Sequence, residues 1–180
     1  MTQLPCAFLT REEISTRVRE LAEQISRDYA GCEPILVGIL RGAVVFLADL
    51  MREMTISATI DFMAISTYGD ATTSSGEVRL LKDLDESIEG RDVLVVEDIV
   101  DSGRTLQFLL NTLRVRRPRS LKVCALLDKP SRRVVDLSAD YVGFQIPDLF
   151  VIGYGLDWAG RFRNLPYIAV LSETNGGSQT

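Results

Sequence analysis

Apolar residues along this chain recur with two alternating periods, and the alternation predicts a fold. Thr10 and Glu13 have the spacing of a capping box, and Ile14, Val18, Leu21, Ala22 and Ile25 follow on one helical face, with Gly31 as the stop. Past Pro34, the apolar run over 35–40 predicts a buried strand, and Arg41-Gly42 leads into a nearly all-apolar helix over 43–54. Residues 59–66 predict a second strand, 78–81 a short third, and the β-branched run from Val93 to Val96 a fourth. Leu106, Leu109, Leu110 and Leu113 then form one helical face, which ends in Arg114, Arg116, Arg117 and Pro118. Residues 121–127 predict another strand, and 141–144, 150–153 and 167–171 shorter ones. Strands alternating with helices imply an α/β fold, a central and mostly parallel sheet flanked by helices on both faces. Ligands bind such sheets at the carboxyl ends of the strands.

Two segments break the periodicity. Residues 67–77 are polar, small and too long for a simple turn, so a mobile lid is expected there. Residues 173–180 are polar and Gly-rich, and are expected to be a disordered tail on a single domain spanning 1–180.

Composition narrows the chemistry. At 180 residues, 46% of them hydrophobic, the chain has ample core for one domain. A net charge of −5 argues against a general nucleic-acid or membrane-surface binder. There is no histidine, and the three cysteines (Cys6, Cys32 and Cys124) are scattered, which excludes the usual zinc sites and Ser-His or Cys-His catalysis. No signal peptide is recognisable and no apolar run approaches a membrane span, so a reducing cytoplasm is the expected location.

The densest chemistry follows the strand that starts at Val93. Glu97 and Asp98 stand where it ends, Asp101, Ser102 and Gly103 form a short loop, and Arg104-Thr105 opens the helix. The first amides of a helix are unpaired and carry its positive dipole end, so small residues there suit a phosphate. Three carboxylates beside a phosphate need a cation between them, and Mg²⁺, held by carboxylate and substrate oxygens, is the expected one. Asp101 is left to accept a proton. An acidic pair merely solvated at a strand end, or the acidic strand ends of a receiver-like module, would also fit these residues. The loop is not the common nucleotide-binding one, because no GxxxxGK[ST] run occurs.

Taken whole, residues 93–106 resemble the phosphoribosyl-pyrophosphate signature of the type I phosphoribosyltransferases: four apolar residues, two acids, two apolar residues, then Asp-Ser-Gly. Four further segments narrow the likeness to the hypoxanthine-guanine phosphoribosyltransferases. Leu40-Arg41-Gly42-Ala43 is similar to that family's pyrophosphate loop, often Leu-Lys-Gly-Gly, whose peptide can be cis. Ser66-Thr67-Tyr68-Gly69 resembles its lid, and Leu126-Leu127-Asp128-Lys129 its purine-reading segment. Residues 150–157, opening Phe150-Val151 and closing on Asp157, resemble its purine-stacking segment, and Arg161 to Tyr167 its closing stretch.

The resemblance implies a purine salvage enzyme that moves 5-phosphoribosyl from phosphoribosyl pyrophosphate to N9 of hypoxanthine or guanine. It also implies a small hood built from terminal segments. Asp101 would be the base. Residues from Asp101 through Ser102, Gly103, Arg104 and Thr105 would cradle the 5′-phosphate, and Glu97 and Asp98 would orient the ribose and the metal. Arg41, Gly42 and Arg163 would hold pyrophosphate, with Ser66 and Tyr68 in the lid. Lys129, Phe150 and the Val151 backbone would read the purine, and Asp157 would join Glu97 and Asp98 at Mg²⁺. A homodimer or homotetramer is expected, with no nucleic acid or membrane partner. The same fold also serves xanthine- or pyrimidine-preferring transferases and RNA-binding regulators, which these residues leave open.

Overall fold

In the computed structural model, residues 5–68 and 77–171 are described. The lid expected over 67–77 and the tail expected over 173–180 lie for the most part or wholly outside them.

A six-stranded sheet forms the centre. Its strands are β2 (Ile35–Leu40), β3 (Thr59–Tyr68), β4 (Glu77–Lys82), β5 (Asp92–Val100), β6 (Ser120–Asp128) and β7 (Tyr141–Gln145), in the order β4-β3-β2-β5-β6-β7. All neighbours pair in parallel except β3 with β4, so the sheet is mostly parallel, as the sequence predicts. Three helices cover it: α1 (Arg11–Asp28), α2 (Val44–Glu53) and α3 (Arg104–Arg114). A second, antiparallel sheet joins β1 (Ala7–Leu9), β9 (Ile168–Val170) and β8 (Val151–Ile152), in that order, and so ties the two ends of the described chain together.

The periodicities explain the layers. Along β5 the side chains alternate: Leu94 and Val96 pack with Ile14, Leu21, Ile25, Phe46 and Leu50 of α1 and α2, while Val93 and Val95 pack with Leu106, Leu109 and Leu113 of α3. Both faces are thus buried, which is why the strand reads as an unbroken apolar run. The Thr10–Glu13 capping box is present at the start of α1, with both reciprocal hydrogen bonds formed.

Element ends differ from expectation in instructive ways. Helix α1 ends at Asp28, and Gly31 lies beyond its cap with φ +77°. Strand β3 continues two residues past 66, because pairing with β4 keeps its backbone satisfied that far. The strands expected at 150–153 and 167–171 shorten to Val151–Ile152 and Ile168–Val170. Strand β1 is not predicted by the pattern at all. Three residues carry no period, and only pairing with β9 makes them a strand.

At the base of β5, Asp92 is 6% exposed. Arg119 Nε donates to its Oδ1 at 3.0 Å, and Ser120 Oγ donates at 2.7 Å. The Arg119 bond outweighs burial and holds the Asp92 carboxyl down to about 2. A lowered carboxyl contributes stability above its unfolded value and loses it as pH falls through the folded one. Asp92→Asn should therefore unfold at lower urea than wild type at pH 7, by on the order of 2 kcal/mol. The gap should close between about pH 4 and about pH 2. An equal gap at pH 7 and pH 2 would contradict this assignment.

Candidate active site

The carboxyl ends of β2 and β5 open into a cleft of about 310 Å³. Three loops build it. The turn after β2 brings Arg41 and Gly42, and the Leu40–Arg41 peptide is cis. The end of β5 and the start of α3 bring Glu97, Asp98, Asp101, Ser102, Gly103 and Thr105. The stretch after β8 brings Asp157 and Arg163.

Two glycines set how closely these loops meet. A Cβ on Gly42 would fall 1.6 Å from Asp98 Oδ2, so only glycine lets the first loop lie against the acidic pair. A Cβ on Gly155 would fall 2.1 Å from the Gly42 carbonyl oxygen, and Gly155 has φ +100°. The first loop thus lies against the Asp98 side chain, and the stretch after β8 lies backbone to backbone on the first loop.

The acids of the cleft occupy unlike surroundings. Glu97 is 6% exposed, and burial, reinforced by the Asp98 charge, pushes its carboxyl well above the usual range. Burial also raises Asp98, to about 6, despite the Ile99 amide that donates to its Oδ1 at 2.9 Å. Arg163 opposes that rise and Asp157 adds to it. Arg163 itself is committed: Nη2 lies 2.5 Å from Asp157 Oδ1, and Nη1 donates to the Gly155 carbonyl at 2.6 Å.

Asp101 is instead in cationic company. Arg132 Nε donates to its Oδ1 at 3.1 Å, and Lys129 Nζ stands 3.9 Å from its Oδ2. Lys129 is 6% exposed, so it is not an ordinary surface lysine at a strand end. Its backbone amide donates to the Val100 carbonyl at 2.9 Å, which clamps the end of β6 to the residue before Asp101. Helix α3 starts beside this clamp, at Gly103 with φ +83°; glycine offers no capping side chain, and the Arg104 amide donates a long 3.4 Å bond to Ser102 Oγ.

Most residues singled out in the sequence converge here, but not all line the cleft. Arg104 is exposed at the start of α3, and Lys129 joins through Asp101. Phe150 is 55% exposed and therefore is not core, and Val151 is buried in the small antiparallel sheet. Ser66 lies on β3, with a buried hydroxyl that has no partner among the described residues. The sequence gives no sign of Arg132 and Asp148, which complete the ionic surroundings of Asp101 and Lys129. Arg132 ends a short 3₁₀ turn and Asp148 sits between Pro147 and Leu149, neither in a periodic pattern, and only the fold brings them together at Lys129.

The chain matches the family model for the phosphoribosyl transferase domain over residues 7–158. It is 51% identical to the hypoxanthine-guanine phosphoribosyltransferase of Bacillus subtilis (strain 168) across 91% of each chain. Against the enzyme of that name from Streptococcus mutans it is 49% identical, again across 91% of each. Among solved structures, a Bacillus anthracis hypoxanthine-guanine phosphoribosyltransferase with HEPES in its active site superposes with a TM-score of 0.90 at 49% identity, covering 94% of this chain and 100% of that one.

The Gly155–Gly42 approach is backbone against backbone, so no flexible side chain can yield. Gly155→Ala should cost roughly 1–3 kcal/mol or more, read as a lowered midpoint of chemical unfolding. An unchanged midpoint would mean that the loops are not held in this contact.

Proposed function

The chain belongs to the hypoxanthine-guanine phosphoribosyltransferases, and on that premise we propose that it transfers 5-phosphoribosyl from phosphoribosyl pyrophosphate to N9 of hypoxanthine or guanine, releasing pyrophosphate and IMP or GMP. The observation that carries this reading is the pairing of a buried Lys129 with Asp101 at 3.9 Å. On a 6-oxopurine, O6 and N7 are neighbours on one edge. Lys129 has donors only, and it serves O6. Asp101, with its second oxygen turned toward Lys129, serves the N7 proton. Adenine would set an amino group against the Lys129 ammonium, donor against donor, at a cost of on the order of 1–3 kcal/mol.

The remaining roles follow from chemistry at each position. The unpaired amides at the start of α3, with the Ser102 and Thr105 hydroxyls, suit the 5′-phosphate, and Gly103 and Arg104 complete that cradle. Glu97 and Asp98 face the ribose hydroxyls. Breaking the C1–O bond leaves negative charge on pyrophosphate, and Arg41 and Arg163 are the cations beside Gly42 that would balance it. Arg163 must loosen its hold on Asp157 to do so. Phe150, whose ring is exposed, would stack on the base, and the Val151 backbone would bond its rim. Ser66 and Tyr68 would close a lid that excludes water from the ribosyl cation.

Among the described residues no three carboxylates meet closely enough to hold a metal by themselves. Mg²⁺ takes one or two carboxylates at a time and completes its shell with substrate oxygens. Glu97, Asp98 and Asp157 are the carboxylates from which it would be held with those oxygens, and it would supply positive charge to the leaving group. A cytoplasmic location is proposed with this activity. A homodimer or homotetramer is the assembly proposed, with the antiparallel sheet of chain ends serving as the hood of one domain.

Pyrophosphate release with phosphoribosyl pyrophosphate and Mg²⁺ tests the reading, with hypoxanthine, guanine, xanthine, adenine and uracil compared in parallel. Turnover with hypoxanthine and guanine but none with adenine is expected. Adenine as the best substrate would refute the Lys129 assignment. Asp101→Asn should lower kcat by about 10²–10⁴-fold while nucleotide binding survives. Turnover near wild type would remove Asp101 as the base.

A further inference from the structure

Lys129 and Asp101 are not alone. Arg132 and Asp148 close a ring with them in which each acid faces both cations. Arg132 Nε donates to Asp101 Oδ1 at 3.1 Å, and Arg132 Nη1 lies 3.5 Å from Asp148 Oδ2. Lys129 Nζ stands 3.7 Å from Asp148 Oδ1 and 3.9 Å from Asp101 Oδ2. We propose that Arg132, braced by Asp148, is the positioning residue of the reaction: it pins one oxygen of Asp101 and thereby aims the other at the purine edge that Lys129 reads. This inference rests on the transferase reading above and assigns a role to residues outside it.

The geometry argues for aim more than for stability. The two oxygens of Asp101 have separate neighbours, one taken by Arg132 and the other left facing Lys129. A carboxylate is free to spin about its last bond unless something holds it, and one N–H donor fixes which oxygen remains open. The donor is itself well placed. Arg132 ends a single 3₁₀ turn, Pro130–Arg132, which begins directly after Lys129, and its amide donates to the Lys129 carbonyl at 3.1 Å. The oxo-reading lysine and the carboxylate-holding arginine therefore move as one turn. That turn is fastened to the Asp101 loop twice, by Lys129 N–H to the Val100 carbonyl and by Val134 N–H to the Ser102 carbonyl at 3.1 Å.

The side chain of Arg132 is 52% exposed, and that of Asp148 is 53% exposed. Ion pairs so open to water contribute little to folding. Removing Arg132 should therefore leave stability intact while disturbing chemistry, the opposite of what a structural ion pair would do. Shells of this kind around a functional group typically affect activity by ten- to a hundred-fold.

The test uses wild type and the variants Arg132→Gln, Arg132→Lys, Asp101→Asn and Arg132→Gln/Asp101→Asn. Each is assayed for kcat and KM with hypoxanthine and phosphoribosyl pyrophosphate, and each is unfolded in urea. The account expects Arg132→Gln to lose about ten-fold or more in kcat, with KM for phosphoribosyl pyrophosphate and the unfolding midpoint near wild type. Arg132→Lys should recover part of the loss. Above all, Arg132→Gln should cost little further once Asp101 is Asn, because its route to the reaction is then already gone. A full second loss in the Asp101→Asn background would overturn the proposal, as would an unchanged kcat in Arg132→Gln or an effect confined to KM for phosphoribosyl pyrophosphate. Absence of turnover in the wild type with both 6-oxopurines would instead defeat the transferase reading, and the proposal with it. Wild-type turnover with additive losses would defeat the proposal alone.

Discussion

Two adjacent carboxylates, Glu97 buried and Asp98 half-buried, stand at the end of the central strand, and the rest of the site is arranged around that constraint. Taking a charged group out of water costs several kcal/mol, and two like charges side by side add to it. Both groups respond by shifting upward, Glu97 far above the usual range and Asp98 to about 6. A fold selected only for stability would put apolar residues there, as it does along the four positions before them. The arrangement is reasonable if a cationic ligand completes it. Gly42 lies directly against Asp98, the Arg163 charge acts on Asp98, and Gly155, in the stretch after β8, closes on the Gly42 carbonyl.

The site therefore separates its acids by surroundings. Glu97 is enclosed beside the Asp98 charge, and Asp98 has both Arg163 and Asp157 acting on it, which suits groups that await a metal and a polyhydroxyl substrate. Asp101, a few residues on, is half exposed and ringed by Lys129 and Arg132. The strand ends between them, so the chain turns outward and the third acid escapes the burial imposed on the first two. One strand-loop-helix unit thus supplies two kinds of carboxylate and a helix start within the same cleft.

Much of this was legible in the sequence because local pattern and tertiary role coincide. The run from Val93 to Val96 reads as a strand since β5 is covered on both faces, and Leu106 to Leu113 reads as a helix since one face meets that sheet. Glu97, Asp98 and Asp101 stood out because acids at the end of an apolar strand need a reason to be there. What escaped depends on contacts distant in sequence. Strand β1 exists through pairing with β9, more than 150 residues away along the chain. The burial of Lys129 and the exposure of Phe150 likewise appear only once the chain is folded. Arg132 and Asp148 carry no local signal, because their spacing from Lys129 is meaningful only once the turn at Pro130 is folded.

The most direct test of the central claim is the shift in thermal unfolding produced by phosphoribosyl pyrophosphate, measured with Mg²⁺ and with a chelator. A ligand that binds only the folded state raises its stability in proportion to affinity. If the Glu97–Asp98 pair is built to receive a cation together with this substrate, the shift should be large with Mg²⁺ and mostly lost without it. An equal shift in both conditions would contradict the account, since the substrate would then be held by the helix start and the arginines alone.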